Sequence, residues 1–197
     1  MKLAEFLLYG VAGWCAIGVA GVAISLVRGH RPEALKHAFS LAIVAGIYLL
    51  VLLGVAVVQK KKVISIGQDQ CFDEMCFAVV GVDEVPGLVA GDDSRVVRVA
   101  IRVTNHSRSA KAESQIEAYL LDSRGMISKP LPGLSGNRLN ARVAGGSQML
   151  SQPMFRVTKD SEGLGLVFTH GSWQRRRLTI GDSDSIGHPR TIVALGR

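Results

Sequence analysis

Cys71 and Cys76 enclose Phe72-Asp73-Glu74-Met75, the one pair of cysteines in the chain close enough in sequence to act together. Their spacing fits neither the CxxC redox motif nor the paired CxxC of a zinc ribbon. With a turn at Asp73 and Glu74, the two thiols would face each other across a hairpin at a separation a disulfide accepts. Closing so short a loop contributes about 2 kcal/mol on the chain-entropy estimate. Such a bond requires an oxidising compartment. Two reduced, buried cysteines remain the alternative, and a metal site would have to recruit the scattered His106, His170 and His188.

The densest polar cluster is Gly181-Asp182-Ser183-Asp184-Ser185-Ile186-Gly187-His188-Pro189. Read as cation ligands, Asp182, Asp184, Ser185 and His188 lack the further acidic positions and terminal glutamate of an EF-hand loop. Asp and Ser in such a stretch bond their own backbone. A structural loop is therefore expected, with Asp182 and Ser185 on local N–H groups and His188 packed against the rim of the fold. Arg175, Arg176 and Arg177 precede an apolar triplet and read as a charged strand that resists edge pairing, or as a patch that touches anionic lipid or polymer.

His170-Gly171-Ser172 lacks the strand-turn-helix setting of a nucleophile elbow, and Gly163-x-Gly165 lacks the third glycine of a dinucleotide fingerprint. Asn105-His106-Ser107 is a formal glycosylation sequon. No constellation supports catalysis, so the chain is expected not to be an enzyme and to carry no cofactor and no metal.

These residues hang on a chain of 197 residues, 48% hydrophobic, with net charge +7. The charge is unevenly placed. Residues 1–62 hold seven Lys/Arg against two acids, whereas residues 63–197 hold sixteen against fourteen. A nucleic-acid surface needs a concentrated basic face, so no nucleic-acid partner is expected, and the basic flanks point to lipid headgroups.

Phe6 to Val27 and Ala38 to Val58 contain no charged residue. At 1.5 Å per residue each covers the roughly 30 Å of a bilayer core. Two transmembrane helices in an antiparallel hairpin are predicted, forming an anchor over residues 1–62. The rival is a cleaved leader ending at Gly21-Val22-Ala23, but its apolar run is long for that purpose. Ala12, Ala16 and Ala20 on the first helix and Ala38, Ala42 and Gly46 on the second have the spacing that lets helices approach closely in lipid. Arg28, Arg31 and Lys36 in the connector, against Lys2 on the other side of the first helix, favour a cytoplasmic connector. Residues 63–197 would then lie outside the cytoplasm.

Beyond Lys62 the apolar period becomes two, clearest in Val97, Val99, Ile101 and Val103, with Arg98 and Arg102 on the other face. Similar runs occur at 63–66, 77–82, 116–121, 155–158, 164–169, 178–180 and 191–195. About eight short strands without intervening amphipathic helices predict an all-β, immunoglobulin-like sandwich. Ile66-Gly67-x-x-x-Cys71 through Val79, Val103-Thr104-Asn105, Tyr119-Leu120-Leu121-Asp122-Ser123-x-Gly125 and Ile180-Gly181-Asp182-x-x-Ser185-x-x-His188 occur in this order. Over residues 63–197 the chain thus resembles the telokin-type, immunoglobulin-like domains of unknown function on bacterial lipoproteins and membrane-anchored envelope proteins. The resemblance implies an extracytoplasmic sandwich without known catalysis, held here by two spans instead of a lipidated cysteine.

The expected function is a binding or structural module anchored in the bacterial plasma membrane, with the lipid bilayer and an envelope protein or polymer as partners. The alternative is a small integral-membrane subunit of a larger complex, in which the helical hairpin is the functional part.

Overall fold

Two long helices, α1 (Leu3–Val27) and α2 (Arg31–Val58), open the computed structural model of the chain. Described are residues 3–86, 93–134, 136–170, 178–180, 185–187 and 189–196. They divide into one unit within 1–60 and 173–189, and a second within 61–172 and 190–197.

In the helical unit the connector is shorter than the ten residues expected. Gly29, with φ +76°, occupies the C′ position of α1. Its N–H donates to Leu26 O, and the His30 N–H donates to Ser25 O, the paired bonds of a Schellman motif. Pro32 then starts α2 in its first turn. Absence of charge marks the apolar stretch of a helix but not its ends, so Arg31, Glu33 and Lys36 are simply its polar first turns.

The buried and half-buried positions of α1 include Ala4, Leu8, Val11, Cys15, Gly18, Val22 and Ser25, with Glu5 and Gly21 beside them, and those of α2 include the row Leu41, Ala45, Tyr48, Leu52 and Val55. Steps of four and three alternate on both helices, as in left-handed packing of antiparallel neighbours. The expected alanine seam is not used: Ala12, Ala16, Ala20, Ala38 and Ala42 are exposed. Close approach occurs instead at Gly18, where a Cβ would lie 2.6 Å from Leu41 Cδ2.

The second unit is a sandwich of two sheets. One sheet has the order β1 (Val63–Ile64), β10 (Ile192–Ala194), β9 (Gly165–Thr169), β5 (Glu117–Leu121), β6 (Ile127–Ser128). The other runs β2 (Gln70–Phe72), β3 (Met75–Val85), β4 (Ser94–Asn105), with β7 (Gln148–Ser151) and β8 (Met154–Thr158) both on the far edge of β4. Among the described strands only β1 and β10 pair in parallel.

Val97, Val99, Ile101 and Val103 of β4 are buried, and they meet Phe77 and Val79 of β3 with Leu120, Leu166, Phe168 and Val193 of the opposing sheet. Full burial of each such side chain contributes about 1.5–3 kcal/mol. A register shift between Val79 and Gly81 lets the long β3–β4 pair bend. Arg98 and Arg102, on the other face, pair with Asp83 and Asp69.

Ile180 and its neighbours correct one strand expectation. Leu178–Ile180 form a helical turn and bend, not a strand, because β9 and β10 pair directly through Leu166↔Val193 and Gly165↔Ala194. The triplet groups with the helical unit, where the Tyr48 hydroxyl donates to Leu178 O.

Candidate functional site

Cys71 and Cys76 are directly opposite in the β2–β3 ladder and form a disulfide, with Cα atoms 4.0 Å apart. Asp73, with φ 57°, makes the turn between them, a conformation that aspartate tolerates through local hydrogen bonding. Cys15 on α1 is a free thiol. Phe72, next to the disulfide, stacks edge-on against His170 at 4.5 Å and against Phe77 at 5.9 Å. His170 is 1% exposed, with Nε2 3.3 Å from Glu113 Oε1. It is therefore a core residue of the β9 end, and its ring is closed off from any substrate in solvent.

Of the predicted polar loop, Ser185 is buried. Asp182 and His188 lie outside the described residues, as do Arg175, Arg176 and Arg177. Asn105 is wholly buried. Its Nδ2 donates to Ser109 O and Val143 O, and its Oδ1 accepts from Ser107 N and Oγ. The sequon is thus a structural knot that ends β4, since an amide with both hydrogens engaged in the interior has no room for a glycan.

A second knot joins the two sheets at one end of the sandwich. Asp122, buried after β5, accepts at Oδ1 from the N–H groups of Arg124 and Met126, 3.0 and 2.8 Å away. These bonds fold the chain back into β6. Arg124 then reaches the end of β8, donating to both carboxylate oxygens of Asp160 and to Thr158 Oγ1. Ser161 Oγ lies 2.8 Å from Thr158 Oγ1 and 3.4 Å from Asp122 Oδ2.

The charges respond in the direction that pairing dictates. The Arg124 hydrogen bond, followed by that from Thr158, lowers the Asp160 carboxyl to about 2. The Met126 N–H, ahead of Arg124, holds Asp122 below its ordinary value. The Asp160 contact in turn raises Arg124. All three are ionised at neutral pH and committed to one another.

Beside this knot opens a cleft of about 990 Å³. Lys61, Arg95, Lys159 and Glu162 line it, with Val63, Leu164, Ile192 and Ala194 as its apolar part. A second groove of about 650 Å³ lies against Arg124 and shares Asp122, Asp160, Ser161 and Leu164 with the first. The Gly163-x-Gly165 signal now has a packing explanation. Gly163 has φ 60°, and a Cβ on Gly165 would lie 2.3 Å from Ile192 Cγ2, so the second glycine admits β10 alongside β9.

Reading the sequence missed Arg124, Asp160 and Ser161. The Asp122-Ser123-x-Gly125 turn was visible as a turn signal, but its partners stand more than thirty residues away on the other sheet.

No protein-family model matches the sequence, and no curated protein matches it. Among solved structures, the chain is similar to an uncharacterized β-sandwich protein from Clostridium difficile, with 9% identity, TM-score 0.45, and coverage of 70% of this chain and 96% of that one. It is also similar to the secreted protein MPT63 of Mycobacterium tuberculosis, with 14% identity, TM-score 0.44, and coverage of 68% and 98%. A conserved hypothetical protein from Bacillus anthracis matches at 10% identity and TM-score 0.42, over 54% and 88%.

Proposed function

We propose that this chain is a membrane-anchored protein that presents an immunoglobulin-like sandwich of the telokin type outside the cytoplasm, as a binding or structural module without catalysis. The observation that carries this reading is the uncovered apolar surface of the helices. Only 6% of the most apolar stretch of α1 and 11% of that of α2 is buried. Ile17, Phe39, Leu50 and Val57 are each more than two-thirds exposed. A core helix of a soluble protein would hide such residues, and an exposed apolar surface of this extent needs lipid or a partner. A cleaved leader supplies one such helix, whereas here a second follows within a few residues.

The Cys71–Cys76 bond supports an oxidising compartment for the sandwich. The basic connector supports the same sidedness. The lipid bilayer is the first partner, and an envelope protein or polymer is the second. The known chemistry of the rim, ion pairs and structural turns, supports a scaffold more than a reaction centre.

Two measurements test the reading together. Alkaline carbonate should leave the full chain in the membrane pellet, and a C-terminal reporter active only outside the cytoplasm should be active. Extraction into the supernatant would remove the anchor. Activity solely from a cytoplasm-specific reporter would reverse the topology.

A further inference from the structure

The cleft beside the Arg124 knot has an imbalance of unpaired charge. Among the described residues three carboxylates line it, but those of Asp122 and Asp160 are engaged with Arg124 and with backbone N–H groups. Lys61 and Lys159 have no ion-pair partner among the described residues, and Glu162 is the remaining carboxylate in the same condition. Arg95 donates to Glu84 and to Ser161 O, and its buried Nε–H has no acceptor among the described residues. The spare hydrogen-bonding capacity of the cleft is therefore mainly cationic and donating. It suits a phosphate or carboxylate group.

The rest of the lining selects further. Leu164, Ile192, Val63 and Ala194 supply an aliphatic wall, while among the described residues no aromatic side chain lines the cleft. A nucleobase or aromatic ligand would find nothing to stack on. A flexible hydrocarbon segment would bury its methylenes against these four residues. The volume of about 990 Å³ is ample for a small amphiphile. In sequence, Lys61 belongs to the run Lys60-Lys61-Lys62, which follows Gln59 at the end of α2.

We propose that this cleft binds an anionic amphiphile, its phosphate or carboxylate held by Lys61 and Lys159 and its aliphatic part resting on Leu164 and Ile192. The site goes beyond the anchoring function and does not depend on which side of the membrane the sandwich occupies. An acidic phospholipid and a free fatty acid share the required chemistry.

The test uses the full chain in a neutral detergent, with binding read by native mass spectrometry against short-chain phosphatidylglycerol, short-chain phosphatidylcholine, decanoate and inorganic phosphate. Phosphatidylglycerol or decanoate should bind, phosphatidylcholine should not, and the tighter of the first two identifies the source. Lys61→Gln with Lys159→Gln should weaken binding about tenfold, the usual loss for a charge-assisted contact. Lys60→Gln with Lys62→Gln, which removes the same charge from the flanking run, should change it by no more than about twofold. Equal losses in the two double variants would reduce the effect to general basicity and overturn the site, as would undiminished binding in the first. Inorganic phosphate competing as well as the amphiphiles would overturn the aliphatic half of the proposal. Unchanged melting midpoints of both variants establish that the loss is not unfolding.

Discussion

Arg124 grips both carboxylate oxygens of Asp160, at 2.8 and 3.3 Å, and so ties the turn after β5 in one sheet to the end of β8 in the other. Hydrophobic packing fixes the distance between the sheets, but it is non-directional and leaves their ends free to splay. A bidentate pair supplies the missing geometric restraint at that end.

That restraint should be visible as an acid limb of stability. The carboxyl of Asp160 is lowered from 3.8 to about 2, and that of Asp122 is lowered as well. A folded value below the unfolded one stabilises fully above about pH 4 and is lost as pH falls towards 2. The thermal midpoint should therefore fall across that interval. Arg124→Gln should lower the midpoint at neutral pH and flatten the acid limb; an acid limb identical to wild type would clear Arg124 of responsibility.

Replacing Cys71 and Cys76 together by serine should cost about 2 kcal/mol of unfolding free energy. Under denaturing, non-reducing conditions the wild-type chain should take up one alkylating group, at Cys15. Reduction should raise the count to three.

Asn105→Ala should cost about 2–3 kcal/mol, because the carbonyls of Ser109 and Val143 lose their donor inside the protein. When the chain is produced through a eukaryotic secretory route, its mass should show no glycan on Asn105. Occupancy of the sequon would contradict the burial.

Gly165→Ala places a methyl on Ile192 Cγ2 and should destabilise by about 1–3 kcal/mol. Adding Ile192→Ala should recover part of this loss in a double-mutant cycle, since the two sites share one contact. Strict additivity would show that the clash is relieved elsewhere.

Much of this architecture is local in origin and was legible before any fold was known. Twenty-two uncharged residues make a helix in any setting where backbone polar groups must pair internally, so α1 and α2 needed no tertiary information. The alternation of Val97, Val99, Ile101 and Val103 likewise announced β4, a strand with one face in the core. Cys71 and Cys76 could be paired on paper because a turn of two residues brings them opposite one another.

What escaped was decided by contacts distant in sequence. β9 was expected at 164–169, but its place between β5 and β10 was not, because all five of its residues are buried and neither face is marked for a partner. β2, β6 and β7, at two to four residues each, are too short to carry a pattern and exist because a longer neighbour offers them a ladder. Leu178–Ile180 looked like a strand because three residues cannot distinguish periods of 2 and 3.6; its neighbours in space made it a turn. Arg124 and Asp160 are charged residues in separate turns until the sheets close. Composition and period thus determined which segments would be apolar helices and which would be strands, since these depend on residues a few positions apart. Sheet order, the rim knot and the cleft depend on pairings across dozens of residues, which only the folded chain brings within hydrogen-bonding distance.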